Sequence, residues 1–180
     1  MKEVHPKDAL VREISSELGK TSPDFVRVAD ILNDIRGERR SRQEIEKLIE
    51  EHFNRIEKEL RRQRGEFFNI SEEERQKKAF IISLYLVLKD LKASQIMHFL
   101  NMLRDIRTKQ RRGVSEEEIN ISIRRIRPML IYAAAKNRKI EPLLRIVDRI
   151  LPFLNDKNFE DFYYFIQAIV AYHKFLRGED

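Results

Sequence analysis

Three times in this chain a serine stands three residues ahead of a glutamate at the head of an apolar-periodic run: Ser41-x-x-Glu44, Ser71-x-x-Glu74 and Ser115-x-x-Glu118. That spacing satisfies two orphan amides at a helix start together, serine oxygen to one and glutamate to the other. Prolines and glycines punctuate the same pattern. Pro6, Pro23 and Pro142 each open a helix-periodic run, where a missing N–H does no harm. Gly19, Gly37, Gly65, Gly113 and Gly178 stand where helices stop. No alternating run bounded by Asn-Gly or Asp-Gly suggests a hairpin. The expected fold class is all-α: a compact helical bundle over 71–178 with an N-terminal helical extension over 1–65, divided at the loop 64–70.

The apolar positions place the helices. The first is expected from about Pro6 to Leu18. The second is expected after a Ser22 cap, with Phe25, Val28, Ala29, Leu32 and Ile35 on one face. The third is long and charged except for one stripe, Ile45, Leu48, Ile49, Phe53, Ile56 and Leu60. Such a stripe needs a partner surface, either the rest of the chain or a second copy. The run Ala79-Phe80-Ile81-Ile82-Ser83-Leu84-Tyr85-Leu86-Val87-Leu88 is apolar on nearly every side and predicts a central buried helix. A fifth helix is expected from Lys92-Ala93-Ser94 to about Arg111 and a sixth from Ser115. Pro128 must break or kink the latter, because it lacks the amide and its ring meets the preceding turn. Short helices follow over about Met129–Asn137 and Pro142–Ile150, and an aromatic-rich one over about Phe159–Leu176.

Several chemistries are excluded. There are no cysteines, so there is no disulfide, thiolate metal site or thiol nucleophile. The histidines, His5, His52, His98 and His173, lack a second ligand at helical i, i+4 spacing. No G-x-S-x-G elbow, phosphate-binding glycine loop or dinucleotide fingerprint is present. Neither a cofactor nor a metal is expected, and no enzyme. The N-terminus shows no signal-peptide run, and the longest apolar run is far below the roughly 20 residues that cross a bilayer. A cytoplasmic protein without membrane contact is expected.

Charge is the positive clue. The formal net charge is +6, but from Arg104 to Lys139 eleven Lys/Arg face four acids, and the rest of the chain sums to −1. Arg104, Arg107 and Arg111 share a helix face. Lys109 and Arg112 continue that cluster, Arg124, Arg125 and Arg127 close the next helix, and Lys136, Arg138 and Lys139 form the following connection. Part of this complements helix dipoles, since cations favour C-terminal ends. The remainder is an electrostatic footprint for nucleic acid. The sign of the charges argues against a helix-turn-helix reading of 94–126. The N-terminal end that should read bases carries Glu116, Glu117 and Glu118.

Three pieces of the chain, in order, resemble one family. They are Leu91-Lys92-Ala93-Ser94-Gln95-Ile96-Met97-His98-Phe99-Leu100-Asn101, Ile126-Arg127-Pro128-Met129-Leu130-Ile131-Tyr132-Ala133-Ala134-Ala135-Lys136, and the run from Phe159 through Ala171-Tyr172-His173-Lys174-Phe175. The family is the small helical subunit of the type III-A CRISPR Csm effector complex, and the resemblance covers about 91–178. Three positions depart from it: Met97 stands where the family has arginine, Ala135-Lys136 where it has glycine-arginine, and Gln167 where it has glutamate. The resemblance implies a non-catalytic block. Copies would stack beside guide RNA and target RNA, among the other subunits, and touch the RNA backbone without reading sequence.

On this reading the RNA contacts are Arg104, Arg107, Lys109, Arg111, Arg112, Lys136, Arg138, Lys139 and Lys174, with His173 beside the last. Lys136 is the leading candidate, as the position of the family's arginine. Tyr132, Phe159, Phe162, Tyr163 and Phe165 are expected in the core rather than as base-stacking rings. Self-association, as a homodimer exchanging N-terminal helices, is assigned to the Ile45–Leu60 stripe. Two other readings stay open: a helical adaptor that binds a protein through that stripe, and a DNA-binding regulator.

Overall fold

The fold was obtained as a computed structural model, which describes residues 6–35, 37 and 39–177. The N-terminal residues 1–5 and the expected helix stop at Gly178 lie outside the described residues. The helices are α1 (Pro6–Gly19), α2 (Phe25–Asp34), α3 (Arg39–Arg62), α4 (Glu72–Leu88), α5 (Ala93–Arg111), α6 (Glu116–Arg124), α7 (Ile126–Lys136), α8 (Glu141–Ile150) and α9 (Phe159–Arg177). No strand occurs among the described residues. The fold is an all-α bundle, as expected.

α4 is the centre. Every residue from Lys78 to Leu86 is buried. α9 lies along one side of it and α3 along another, with α8 also in contact. α3 runs antiparallel to α4. Tyr85 donates to Glu50 at 3.3 Å near one end, and Lys78 reaches Glu59 at 2.6 Å near the other. Between them Phe53 stacks on Tyr85, centroids 4.1 Å apart. The contact with α9 is close because Ser83 has little side chain. Its fully buried hydroxyl lies 2.7 Å from the Ala79 carbonyl and 2.9 Å from the Ile169 carbonyl, and shares its one hydrogen between them.

The Ile45–Leu60 stripe is core. Ile45, Ile49, Phe53, Ile56 and Leu60 are buried and Leu48 packs against them, in the same cluster that holds α4 and α9 residues. Each fully buried side chain of this size contributes about 1.5–3 kcal/mol. In this arrangement the stripe is not a face offered to a second copy. Glu57 on the neighbouring face of α3 receives Arg145 and, at 3.3 Å, Arg149 from α8. Burial works to raise the Glu57 pKa, but the two arginines outweigh it and hold the carboxyl below its ordinary value.

Two of the three serine–glutamate heads cap helices. Ser71 and Ser115 are N-caps, accepting from Glu74 N–H at 3.2 Å and Glu118 N–H at 3.3 Å. Ser41 is not a cap. α3 begins at Arg39, which puts Ser41 inside the first turn. The cap of α2 is Asp24 rather than Ser22. Asp24 accepts from Arg27 N–H at 2.9 Å, and its own N–H is taken by Glu17 of α1 at 3.0 Å. Pro128 acts as expected. α6 ends at Arg124, the residue four before it, whose carbonyl the ring would strike. Gly65 is required where it is. Its φ is +99°, and an added Cβ would meet the Phe153 ring at 3.0 Å.

Replacing Ser83 by valine should destabilise the bundle by about 1–3 kcal/mol, through overpacking of the α4–α9 contact and loss of the shared hydrogen bond. Ser83→Ala should cost less. Urea unfolding of the two variants beside the parent checks both the size and the order.

Candidate nucleic-acid interface

α6 and α7 run back along α5. Lys109 near the end of α5 reaches Ser122 on α6 at 3.4 Å, while α7 lies against the first half of α5, with Tyr132 and Lys136 facing the same groove as Leu91 and Gln95. α5 and α9 are antiparallel. Arg107 meets Glu160 at the start of α9, and Arg177 at its end donates to the Leu91 carbonyl at 2.6 Å. The expected contacts therefore do not form one patch. Lys109, Arg111 and Arg112 stand at one end of α5, Arg124 and Arg125 partway back, and Lys136, Arg138 and Lys139 at the other end. Lys174, one turn before Arg177, is exposed at that second end. The two ends are about 27 Å apart, at 1.5 Å per residue along α5.

The fold also withdraws some of these cations. Arg107 is a structural residue, with its side chain only 16% exposed. It donates to Glu160 at 2.7 Å and to the Tyr164 hydroxyl at 2.5 Å, and its guanidinium lies over the Tyr163 and Tyr164 rings at 4.5 and 4.8 Å. It clamps α5 to α9 and is not placed to meet a phosphate. Arg127 is paired with Asp148 at 2.5 Å, and Lys139 with Asp90 at 2.7 Å. Arg111 is 65% exposed and touches Glu160 only at 3.6 Å. Arg104, Arg112, Arg124, Arg125, Arg138 and Lys174 are exposed and pair with no acid among the described residues. Lys136 lies over the ring of Tyr132 at 4.6 Å.

Glu160 and Asp90 are both held below the ordinary carboxyl range, chiefly by their hydrogen bonds to Arg107 and to Lys139 respectively. They come from outside the basic stretch, as does Asp148. Three of the acids that offset it were therefore invisible to a count made along the chain.

The aromatic expectations divide. Phe159, Phe162, Tyr163 and Phe165 are buried, as expected. Tyr132 is not in the core: it is 62% exposed, and Met129 beside it 50%. They edge an open, mainly apolar groove of about 710 Å³ between α5 and α7, whose polar members include His98 and Lys136. His173 is fully buried and so does not line a surface beside Lys174. No group of His, Asp and Glu suited to a metal ion occurs among the described residues. No helix among them is long and apolar enough to cross a membrane.

These features define an all-helical bundle that carries exposed lysines and arginines and an exposed apolar groove on its surface. Residues 69–179 match the family model described as Csm2 Type III-A, and the chain belongs to that family, a subunit of the type III-A CRISPR Csm complex. The match takes in α4 to α9 and leaves α1 to α3 outside it. No curated protein matches the sequence.

Two outcomes follow from these ion pairs. Arg107→Ala should lower stability by about 1–2 kcal/mol, from lost cation–π contact and charge-assisted hydrogen bonds, whereas Arg112→Ala should change it by less than about 0.5 kcal/mol. Equilibrium denaturation of both variants measures the contrast. Second, the depressed carboxyls of Glu57, Asp90 and Glu160 bind fewer protons folded than unfolded. Their contribution is complete above the unfolded pKa and is lost as pH falls through the folded one. Stability should be nearly flat above about pH 5 and decline below about pH 4, with a shallower decline in Glu160→Gln. Thermal melts across that range report it.

Proposed function

We propose that this chain is a non-catalytic RNA-binding scaffold subunit of the Csm complex, contacting guide RNA or target RNA through backbone phosphates without sequence preference. The observation that carries the reading is the row of exposed cations at the two ends of α5, spread over a distance that spans several nucleotides. A row suits a polyanion better than a compact anion. It offers point charges rather than hydrogen-bonding pockets for bases, so it positions a strand without reading it. The contacts on this reading are Arg104, Lys109, Arg111, Arg112, Lys136, Arg138 and Lys174. Lys139 joins them once its exposed pair with Asp90 exchanges, since surface pairs are worth little. Tyr132, beside Lys136, adds an exposed ring on which a base can stack.

Membership of a complex also requires protein contacts. The α5–α7 groove, with Met129 and Tyr132 at its edge, is the apolar surface we assign to neighbouring subunits or to copies of this chain. The Ile45–Leu60 stripe could serve self-association only if α1 to α3 left their own α4 for that of another copy. In this reading residues 1–65 are an extension that completes the core of 71–178. The adaptor alternative survives in the groove rather than in the stripe. The DNA-regulator alternative is disfavoured by Glu116, Glu117 and Glu118, all exposed at the head of α6.

Binding of a single-stranded RNA oligonucleotide should weaken with salt. If about three phosphates are neutralised per copy, log K falls with log salt at a slope of about −2. The double variant Arg111→Glu plus Lys136→Glu should reduce affinity by at least about tenfold, because two attractions become repulsions. Unchanged RNA affinity in that variant, by fluorescence anisotropy at fixed salt, would remove the site.

A further inference from the structure

On the far side of α6 from its contact with α5 lies a cleft of about 730 Å³, between α6, α8 and the 3-10 turn Leu151–Phe153. Its polar lining is short of acceptors. Arg124, Arg127 and Arg149 face one carboxylate, Asp148, which Arg127 already holds through two bonds at 2.5 and 3.3 Å. Arg149 gives one NH2 group to Glu57 at 3.3 Å, and its Nε–H is buried without an acceptor. The Arg149 side chain as a whole is 34% exposed, so the part of its guanidinium not given to Glu57 is open to an anion in the cleft. Arg124 is exposed and pairs with no acid among the described residues.

The two asparagines of the cleft tilt the balance further. Asn120 spends its side-chain oxygen on Asp156 N–H at 3.2 Å, and Asn155 spends its own on Lys157 N–H at 2.9 Å. In each case the NH2 half remains to donate. Arg124, part of Arg149 and two amide donors therefore line one recess in which, among the described lining residues, the one carboxylate is already held by Arg127. We propose that this cleft binds a phosphate group, held by Arg124 and Arg149 with the Asn120 and Asn155 amides. Arginine forks match the spaced oxygens of phosphate, and charge-assisted bonds of this kind are the strong ones. The chemistry of the site is the same for a phosphate carried on RNA and for one free in solution. A phosphate cleft here would stand whether or not the α5–α7 edge meets RNA, because it shares none of the residues assigned to that edge.

The test uses the full-length chain, 15N-labelled, with the arginine Nε–H signals followed by NMR. Titration with inorganic phosphate, against chloride at matched ionic strength, should shift the Arg124 and Arg149 signals saturably and leave exposed Arg112 still. Arg124→Gln, at an exposed position without an ion pair among the described residues, should weaken binding about tenfold, the loss expected for one charge-assisted hydrogen bond. Asn155→Ala should weaken it in the same direction. Single-stranded RNA with a 5′-hydroxyl and with a 5′-phosphate separates the sources. Shifts with both assign the backbone phosphodiester, and shifts only with the 5′-phosphate or inorganic phosphate assign a terminal or free group. The variant Arg111→Glu plus Lys136→Glu should keep the inorganic-phosphate response, which separates this cleft from the RNA edge. Arg124 and Arg149 signals that move no more than Arg112 in every titration, or a response unchanged by Arg124→Gln, would overturn the proposal.

Discussion

A helix that is apolar on every side has to be walled from water by other helices, and α4 imposes that requirement on this chain. Nine consecutive residues of it are buried. α9 covers one flank and α3 another, with α8 closing against both α3 and α4. The rest of the architecture answers to this. α5 returns along α9 because the turn at Leu91 is pinned by Arg177, and α6 and α7 then have only the outer side of α5 to occupy. That outer position keeps their charged faces in water. It also leaves the apolar residues of α7 half-covered, since no further layer packs on them.

The polar contacts that hold the walls in place are few and specific. Lys78, buried in α4, meets Glu59 at 2.6 Å and Glu74 at 3.1 Å. Burying a lysine is tolerable only when its charge is met in this way. The use of Glu74 for this purpose leaves Ser71 to cap α4 with its hydroxyl. Arg107 plays the corresponding part on the other flank, sandwiched by the rings of α9. The Lys78–Glu59 and Arg107–Glu160 pairs join different helices, so they fix how helices sit against one another rather than whether each helix forms.

This division explains what could be read from the sequence. Helix identity and most boundaries are set locally, by apolar period, caps and breakers; Pro128 marks a break as expected, but the break falls just before it, and α7 starts at Ile126 rather than Met129 and takes Pro128 into its first turn. Ser41 misled because a capping-box spacing also occurs by chance inside a helix that starts earlier. Tyr132 misled because Ile131-Tyr132-Ala133-Ala134 has no polar side to mark which face is outward. The basic edge was legible as composition but not as geometry. Asp90, Asp148 and Glu160 reach it only through the tertiary fold, and Arg107 differs from its neighbours only by what stands 53 residues further on. The cleft of Arg124, Arg127 and Arg149 joins three helices that no local pattern relates.

The family match begins at residue 69, yet the side of α4 that faces Ile49, Phe53 and Ile56 is covered by residues before that point. The family-matching segment is thus not self-sufficient in this protein. Cut from what precedes it, it would present Tyr85 and the neighbouring α4 side chains to water as a ready-made adhesive strip. Wherever a chain of this kind lacks such a cover, its central helix must borrow one, and the quaternary state becomes part of the fold rather than an addition to it.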